Sequence, residues 1–321
     1  MQLSRRGFLR TGVVLTGGVM LGGLSACAGT APRAQSLMPG VTRVDLGGGV
    51  TLTAISDGYG SRAIDAAFVR NAALSEVQAA LAEAGLPTGR LAIPYTVQIV
   101  DIGGQRVLFD TGNGEFGAAT AGKVLENMTR AGIDPASVTA VVISHFHGDH
   151  INGLRNKAGQ LVYPNAKVFV PAPEWAWWMD DARMASAPAA MKGAYAAPRR
   201  VFGPMAANVV RFEPGADVLP GIASVAAYGH TPGHTAFIVA GGYRKLMLWG
   251  DNTNVAALFV RHPEWSVAFD LDPEAARATR RRLAEQVLTQ RLLLAGYHLP
   301  GAAVGTLARR GDGYDFMPLP L

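Results

Sequence analysis

The chain has 321 residues, with 29 lysines and arginines against 24 acidic residues and a formal charge of +5. It is 49% hydrophobic, 17% charged and has one cysteine, which excludes a disordered chain and a scaffold built on disulfides or thiolate ligands. So small a positive excess makes no case for nucleic acid or acidic lipid as a partner.

Ser4-Arg5-Arg6-Gly7-Phe8-Leu9 matches a twin-arginine export motif. The glycine-rich apolar run that follows, from Thr11 to Leu24, is too short and weak for a membrane span, which needs about 20 strongly apolar residues. Leu24-Ser25-Ala26-Cys27 is similar to a bacterial lipobox. The expectation is a leader over residues 1–27 and a periplasmic protein tethered to the membrane by lipid on Cys27. Simple secretion, with cleavage after Ala28, is the alternative. Without Arg5, Arg6 and Arg10 the 29 basic residues fall to 26, so the exported chain is close to neutral. Residues 28–40, with Pro32, Pro39 and small polar residues, read as a linker, which leaves 41–321 as one large domain.

Residues 50–55 alternate like a first strand. Residues 75–85 read as a helix capped by Ser75 and stopped by Gly85. Residues 95–102 and 105–109, joined by Gly103-Gly104, read as a hairpin ending in Asp110. A helix over about 118–131, stopped at Gly132, leads into the apolar, β-branched run 139–143. A strand over 167–170 and a helix from Pro173 to Asp181 come next. The stretch 175–202 is rich in alanine, methionine and aromatics. Trp175, Trp177 and Trp178 exceed what one helix face needs. Trp177, Trp178 and Phe116 are candidates to line a substrate pocket; the alternatives are internal packing of inserted helices or a homodimer contact. Strands resume at Ile222, with a turn at Gly241-Gly242. Residues 273–290 form a long amphipathic helix whose Arg280-Arg281-Arg282 run reads as a solvated face. No internal repeat is evident.

The densest chemistry lies at 144–150, where His145, His147, Asp149 and His150 follow directly on a run of buried-strand character. The carboxyl end of such a strand is where open α/β sheets place their sites. His145 and His147 are two apart, so in extended chain both rings point to the same side. Gly148 permits a bend that carries Asp149 and His150 to a second point. Three more apolar runs end in metal-ligand types: 222–227 before Gly229-His230-Thr231-Pro232-Gly233-His234, 246–250 before Asp251, and 292–294 before His298. Of the seven histidines, six stand in these pieces, and five of them (His145, His147, His150, His234 and His298) are the candidate ligands. With no cysteine left, a metal site here is built from imidazole and carboxylate alone.

HxHxDH, then GHTPGH, then Gly-Asp, then a late histidine, in that order, resembles the metallo-β-lactamase superfamily from about Val41 onward. The resemblance extends to the branch of methyl parathion hydrolase and related lactonases through Leu52-Thr53-Ala54-Ile55-Ser56-Asp57-Gly58, Leu108-Phe109-Asp110-Thr111-Gly112 and the ending from Leu299 to Phe316. It implies an α+β fold, the four-layer αβ/βα sandwich. It also implies two metal ions: one on His145, His147 and His234, the other on Asp149, His150 and His298, with Asp251 bridging. Asp110 would support the site from behind, and His230 would order its loop by hydrogen bonding. Zinc is the default ion, with manganese, iron or cobalt as alternatives. The implied activity is hydrolysis of a small-molecule ester, lactone or phosphotriester by a hydroxide shared between the ions, with Asp149 and Asp251 as later proton acceptors. A periplasmic β-lactamase is the rival enzyme, against which Asp251 stands as a bridging carboxylate. A lipid-tethered binding protein is the non-enzymatic rival; it predicts missing ligands, and none is missing.

Overall fold

A computed structural model of the chain describes residues 34–320. The leader, Cys27 and the start of the expected linker lie outside them. Two sheets form, in strand order along the chain. The first holds β1 (Ala34–Met38), β2 (Val41–Gly47), β3 (Val50–Ala63), β4 (Arg90–Ile102), β5 (Gln105–Phe109), β6 (Ala140–Val142), β7 (Lys167–Pro171) and β8 (Val209–Phe212). The second holds β9 (Asp217–Leu219), β10 (Ile222–Ala226), β11 (Thr235–Val239), β12 (Leu246–Leu248), β13 (Leu293–Ala295), β14 (Val304–Arg310) and β15 (Gly313–Pro318). Strands β5 to β8 run parallel, as do β12 and β13; the remaining neighbours pair antiparallel.

Alternation along the strands builds the layers. On β6, Ala140 and Val142 point into a core shared with Phe237, Leu248 and Leu293 of the second sheet. Val141, between them, points outward into a core with Val124, Met128, Trp178 and Phe202. Those residues come from α2 (Val124–Arg130), α4 (Ala172–Trp178) and α7 (Ala196–Phe202). Three short helices, α3 (Gly148–Ile151), α5 (Asp181–Ser186) and α6 (Ala189–Lys192), complete that side, and α1 (Leu74–Glu83) packs separately against Leu91 and Phe259. On the far side, α8 (Pro273–Thr289) buries Leu283, Ala284 and Val287 against Met247 and Leu294. The order helix, sheet, sheet, helix is the expected sandwich. No helix among the described residues is long and apolar enough to cross a membrane.

Several local expectations shift. β1 lies inside the stretch read as linker, so the first sheet begins at Ala34 rather than near Val50. Helix α1 starts a residue earlier than read, because the Glu76 carboxylate accepts the Ala73 backbone N–H at 2.9 Å and makes Ala73 the cap. Helix α2 is shorter than expected, although Gly132 ends that segment with φ +69° as predicted. The largest correction concerns Arg280: it faces inward on α8 and is 2% exposed, unlike a solvated side chain.

Candidate metal centre and active site

Ligand-type side chains arrive from four connections at one edge of the sandwich. β6 delivers His145 and His147, and α3 turns Asp149 and His150 back toward them. The β10–β11 connection delivers His230, the residues after β12 deliver Asp251, and those after β13 deliver His298. The two sheets are tied together here: Thr235 N–H donates to the Ser144 carbonyl at 3.0 Å, and Thr96 N–H to the Tyr297 carbonyl at 2.9 Å.

Two groups of ligand atoms result, His145, His147, His230 and Asp251 in one, and Asp149, His150, Asp251 and His298 in the other. In the first, Nδ1 of His147 lies 3.0 Å from Nε2 of His145 and 3.0 Å from Nε2 of His230. Tetrahedral nitrogens bound at about 2.0–2.1 Å to one ion stand roughly 3.3 Å apart, so three rings converging this tightly describe a coordination shell. Asp251 Oδ2 closes it, 3.4 Å from His230 Nε2. In the second group, His150 Nε2 is 3.1 Å from Asp251 Oδ1 and 3.5 Å from Asp149 Oδ2. His298 Nε2 is 3.1 Å from Asp251 Oδ2. Asp251 therefore stands in both groups.

The donor chemistry fits a metal on a further observation: His150 Nε2 and Asp251 Oδ1 are buried and, although 3.1 Å apart, form no well-directed hydrogen bond with each other or with another described atom. Such orphans are costly without an ion to meet them. The far nitrogens are fixed by acceptors. His150 Nδ1 donates to Asp110 at 2.7 Å, His230 Nδ1 to Asp270 at 3.0 Å, and His298 Nδ1 to the Pro94 carbonyl at 2.8 Å. A carboxylate or carbonyl only accepts, so each of these rings keeps a proton at Nδ1 and leaves Nε2 as the atom that faces the centre. Asp110, also bound by the backbone N–H and hydroxyl of Ser144, sits at φ +58°, a conformation that non-glycine residues seldom adopt.

Electrostatics follow the same division. Burial, then the neighbouring imidazoles, hold His145 and His147 well below the usual histidine range. For His150, burial pulls downward but the charges of Asp251, Asp149 and Asp110 outweigh it and lift the ring well above that range. His230 rises to about 9 against its burial, through Asp251 and Asp270. Asp251 resists burial and is held well below the carboxylate range by His298 and His150.

The geometry departs from expectation at the GHTPGH loop. His230, expected to order the loop, is brought into the first group, whereas His234 is not. His234 Nδ1 donates to the Ala227 carbonyl at 2.9 Å, and its Nε2 accepts the Asp251 backbone N–H at 3.0 Å. Both nitrogens are thus spent, and burial keeps the ring neutral, with a pKa of about 4. Gly229 enables the arrangement: at φ +126°, its missing side chain leaves room for the first turn of α8, whose Ala276 nitrogen would lie 2.1 Å from a Cβ.

A cleft of about 790 Å³ opens over both groups, within the size range of small-molecule sites. Its walls include Ile93 and Tyr95 on one side, Phe269 and Leu271 on another, and Trp178 and Met191 from the helical insert. Of the three pocket candidates, only Trp178 lines it. Successive helical residues point about 100° apart, so Trp177 cannot share that face; it packs beneath Arg183, 3.8 Å from the ring centroid. Phe116 lies beneath Arg200 at 3.6 Å, away from the cleft. Trp178 is itself anchored by a fully buried acid that the sequence did not announce. Glu174 accepts Trp178 Nε1–H at 2.8 Å, Phe146 N–H at 2.8 Å and Gly233 N–H at 2.7 Å, joining the insert to both metal loops. Burial pushes its carboxyl up against those hydrogen bonds. Tyr95 was also missed as a site residue; its ring meets His298 edge-on at 5.4 Å.

Two facing sheets with a histidine–aspartate centre at their edge define a sandwich built to hold metal at the carboxyl ends of its strands. The sequence profile of the metallo-beta-lactamase superfamily matches residues 94–296, and the chain belongs to that family. Among solved structures it resembles AidC, a dizinc quorum-quenching lactonase, at 23% identity over 88% of this chain and 98% of that one, with a TM-score of 0.82. It likewise resembles AbOPH, a hydrolase in the β-lactamase superfamily (23% identity, 90% and 98% coverage, TM-score 0.80). A probable metal-dependent hydrolase from Staphylococcus aureus is also similar, at 19% identity over 85% and 99% of the two chains, with a TM-score of 0.69. No curated protein matches at the level of sequence.

Proposed function

We propose that this hydrolase holds two divalent ions, zinc by default, and opens a lactone or other ester, with phosphotriesters as the next class. The observation that carries the reading is Asp251, whose carboxylate stands in both ligand groups. His145, His147 and His230 would hold one ion, and Asp149, His150 and His298 the other. Such a pair supplies an activated water at neutral pH and a Lewis acid for the carbonyl or phosphoryl oxygen. The chain's own residues supply the rest. Trp178, Phe269 and Leu271 wall the cleft and restrict water. Tyr95 is pushed up to about 12 by burial and by the charges of Asp149 and Asp251, so it stays protonated and can donate a hydrogen bond to a substrate oxygen. Asp149, with its side chain 25% exposed, is the carboxylate best placed to take a proton from the cleft late in turnover. Arg62 is the one lysine or arginine among the cleft's lining residues, which suits a small neutral substrate better than a polyanion.

AidC's description as a lactonase supports an acyl-homoserine lactone as the first substrate to try. The test is a hydrolysis panel on the zinc-loaded protein: an acyl-homoserine lactone, an aryl ester, methyl parathion and a cephalosporin, with Asp251→Ala as the blank. Lactone or phosphotriester turnover that disappears in the blank supports the reading. Turnover of the cephalosporin alone would replace it with a β-lactamase. Export and lipid attachment at Cys27 form part of the same proposal, supported by the leader motifs. Replacing Cys27 by alanine is expected to release the protein from the membrane fraction.

A further inference from the structure

We infer that Arg280 and Asp270 are positioning residues for the first ligand group: a buried pair, Asp270 just before α8 and Arg280 midway along it, that fixes the His230 ring and the chain behind Asp251. This rests on reading His145, His147 and His230 as ligands. Arg280 is 2% exposed and Asp270 1%. The Arg280 guanidinium lies 3.4 Å from Asp270 Oδ2. Its Nε donates to the Asn252 carbonyl at 2.9 Å, and its Nη1 to the carbonyls of Pro263 at 3.1 Å and Trp265 at 2.6 Å. The other Asp270 oxygen accepts from His230 Nδ1 at 3.0 Å. One side chain thus grips the residue after Asp251 and, through one carboxylate, the ring that faces His147.

Arg280 shares its helix face with Ala276, Leu283, Ala284 and Val287, so its guanidinium is buried at a cost that its bonds to three loop carbonyls and to Asp270 offset. Holding those loops accounts for the arginine, but not for an acid placed between it and His230. The arrangement has a specific consequence. Asp270 only accepts, so His230 must carry its proton on Nδ1 and leave Nε2 free for an ion. The backbone is registered the same way: Asp272 N–H donates to the Gly229 carbonyl at 2.9 Å, and Leu271 N–H to the His230 carbonyl at 3.1 Å. His230 and the amino-terminal end of α8 are therefore set as one unit.

The test uses the zinc-loaded protein with Arg280→Lys and, separately, Asp270→Asn. The second variant is isosteric, and it decides the matter if the first fails to fold. An asparagine amide at position 270 must point its NH₂ at either Arg280 or His230, and against Arg280 it meets only donors. It therefore turns to His230, whose proton is driven to Nε2. In Asp270→Asn, competition with a chelator should show one of the two zinc ions held about 10–100-fold more weakly, with the other unchanged, whereas Arg280→Lys, which also loosens the chain behind Asp251, should weaken both. The Nδ1–H resonance of His230 in ¹⁵N-histidine spectra should disappear. The thermal midpoint of the metal-free protein should fall in Asp270→Asn, because the buried Arg280 loses its counter-charge. The deciding readouts are therefore the inequality between the two ions and the lost Nδ1–H resonance. Wild-type affinity for both ions would overturn the inference. So would equal weakening of both ions in Asp270→Asn, which a merely structural role would produce. These readouts need no substrate, so failure here is distinguishable from an error in the proposed reaction. A wild-type protein that binds no zinc would sink the metal reading itself.

Discussion

Glu174→Gln removes one charge without changing the volume of a side chain that ties together three pieces of the site. Its Oε2 accepts from Phe146 N–H and Trp178 Nε1–H, and its Oε1 from Gly233 N–H. Glutamine has one accepting oxygen. In its better orientation it keeps the two bonds on the Phe146 side and points its NH₂ at the Gly233 N–H. A buried donor left without an acceptor costs about 1–3 kcal/mol, and the two surviving bonds lose their charge assistance as well. At roughly 2–4 °C per kcal/mol for a domain of this size, the thermal midpoint of the metal-free protein should fall on the order of 5 °C. Because Phe146 lies between His145 and His147, zinc should also dissociate faster from the variant. Trp178→Phe is the internal control: it removes one donor, leaves Glu174 two, and should cost less than Glu174→Gln. Stability would be read from urea unfolding of metal-free protein, and zinc release from chelator kinetics. A Glu174→Gln variant within about 0.5 kcal/mol of wild type would refute the clamp, since that is the range of an ordinary surface change.

Three further outcomes are expected. His230→Ala should retain one zinc ion. His234→Ala should retain two but lose about 1–3 kcal/mol of stability, because the Asp251 N–H loses its acceptor; elemental analysis and urea melts separate the two variants. Removing metal with a chelator should abolish hydrolysis and lower the thermal midpoint, since ions at about 100 times their Kd stabilise by about 2.7 kcal/mol. The metal-free protein should be most stable near pH 6.5. His230 is raised to about 9, so its contribution is full below the unfolded value of about 6.5 and is lost as the pH climbs to 9. His234 is lowered to about 4, so its contribution is present above about 6.5 and is lost as the pH falls to 4. A midpoint that changes in one direction only between pH 4 and 9 would contradict these assignments.

The sandwich was legible because its strands are short apolar runs that each end in a ligand type, as at residues 139–143, 246–250 and 292–294. The same pattern placed Asp251 and His298. At the GHTPGH loop the resemblance implies His234 as the ligand, whereas the structure brings His230 into the group; the two stand four apart in one loop, each beside a glycine. The contacts of His234 with the Ala227 carbonyl and the Asp251 N–H, which the pattern does not show, set that outcome. Arg280 was hidden by its neighbours: a run of three arginines reads as solvated, although Ala276, Arg280, Leu283, Ala284 and Val287 follow the helical period and mark one buried face. β1 was missed because it is the edge strand of its sheet, paired on one side with β2 alone, and an edge position leaves little trace in composition.

The central claim is a two-ion centre on His230 rather than His234, bridged by Asp251. Anomalous diffraction at the zinc edge, on crystals of the zinc-loaded protein, tests it most directly. Two peaks are expected, about 3.5–4 Å apart. One should lie about 2.0–2.1 Å from nitrogens of His145, His147 and His230, the other should be bound by Asp149, His150 and His298, and Asp251 should touch both. A single peak, or an ion bound to His234, would contradict the account.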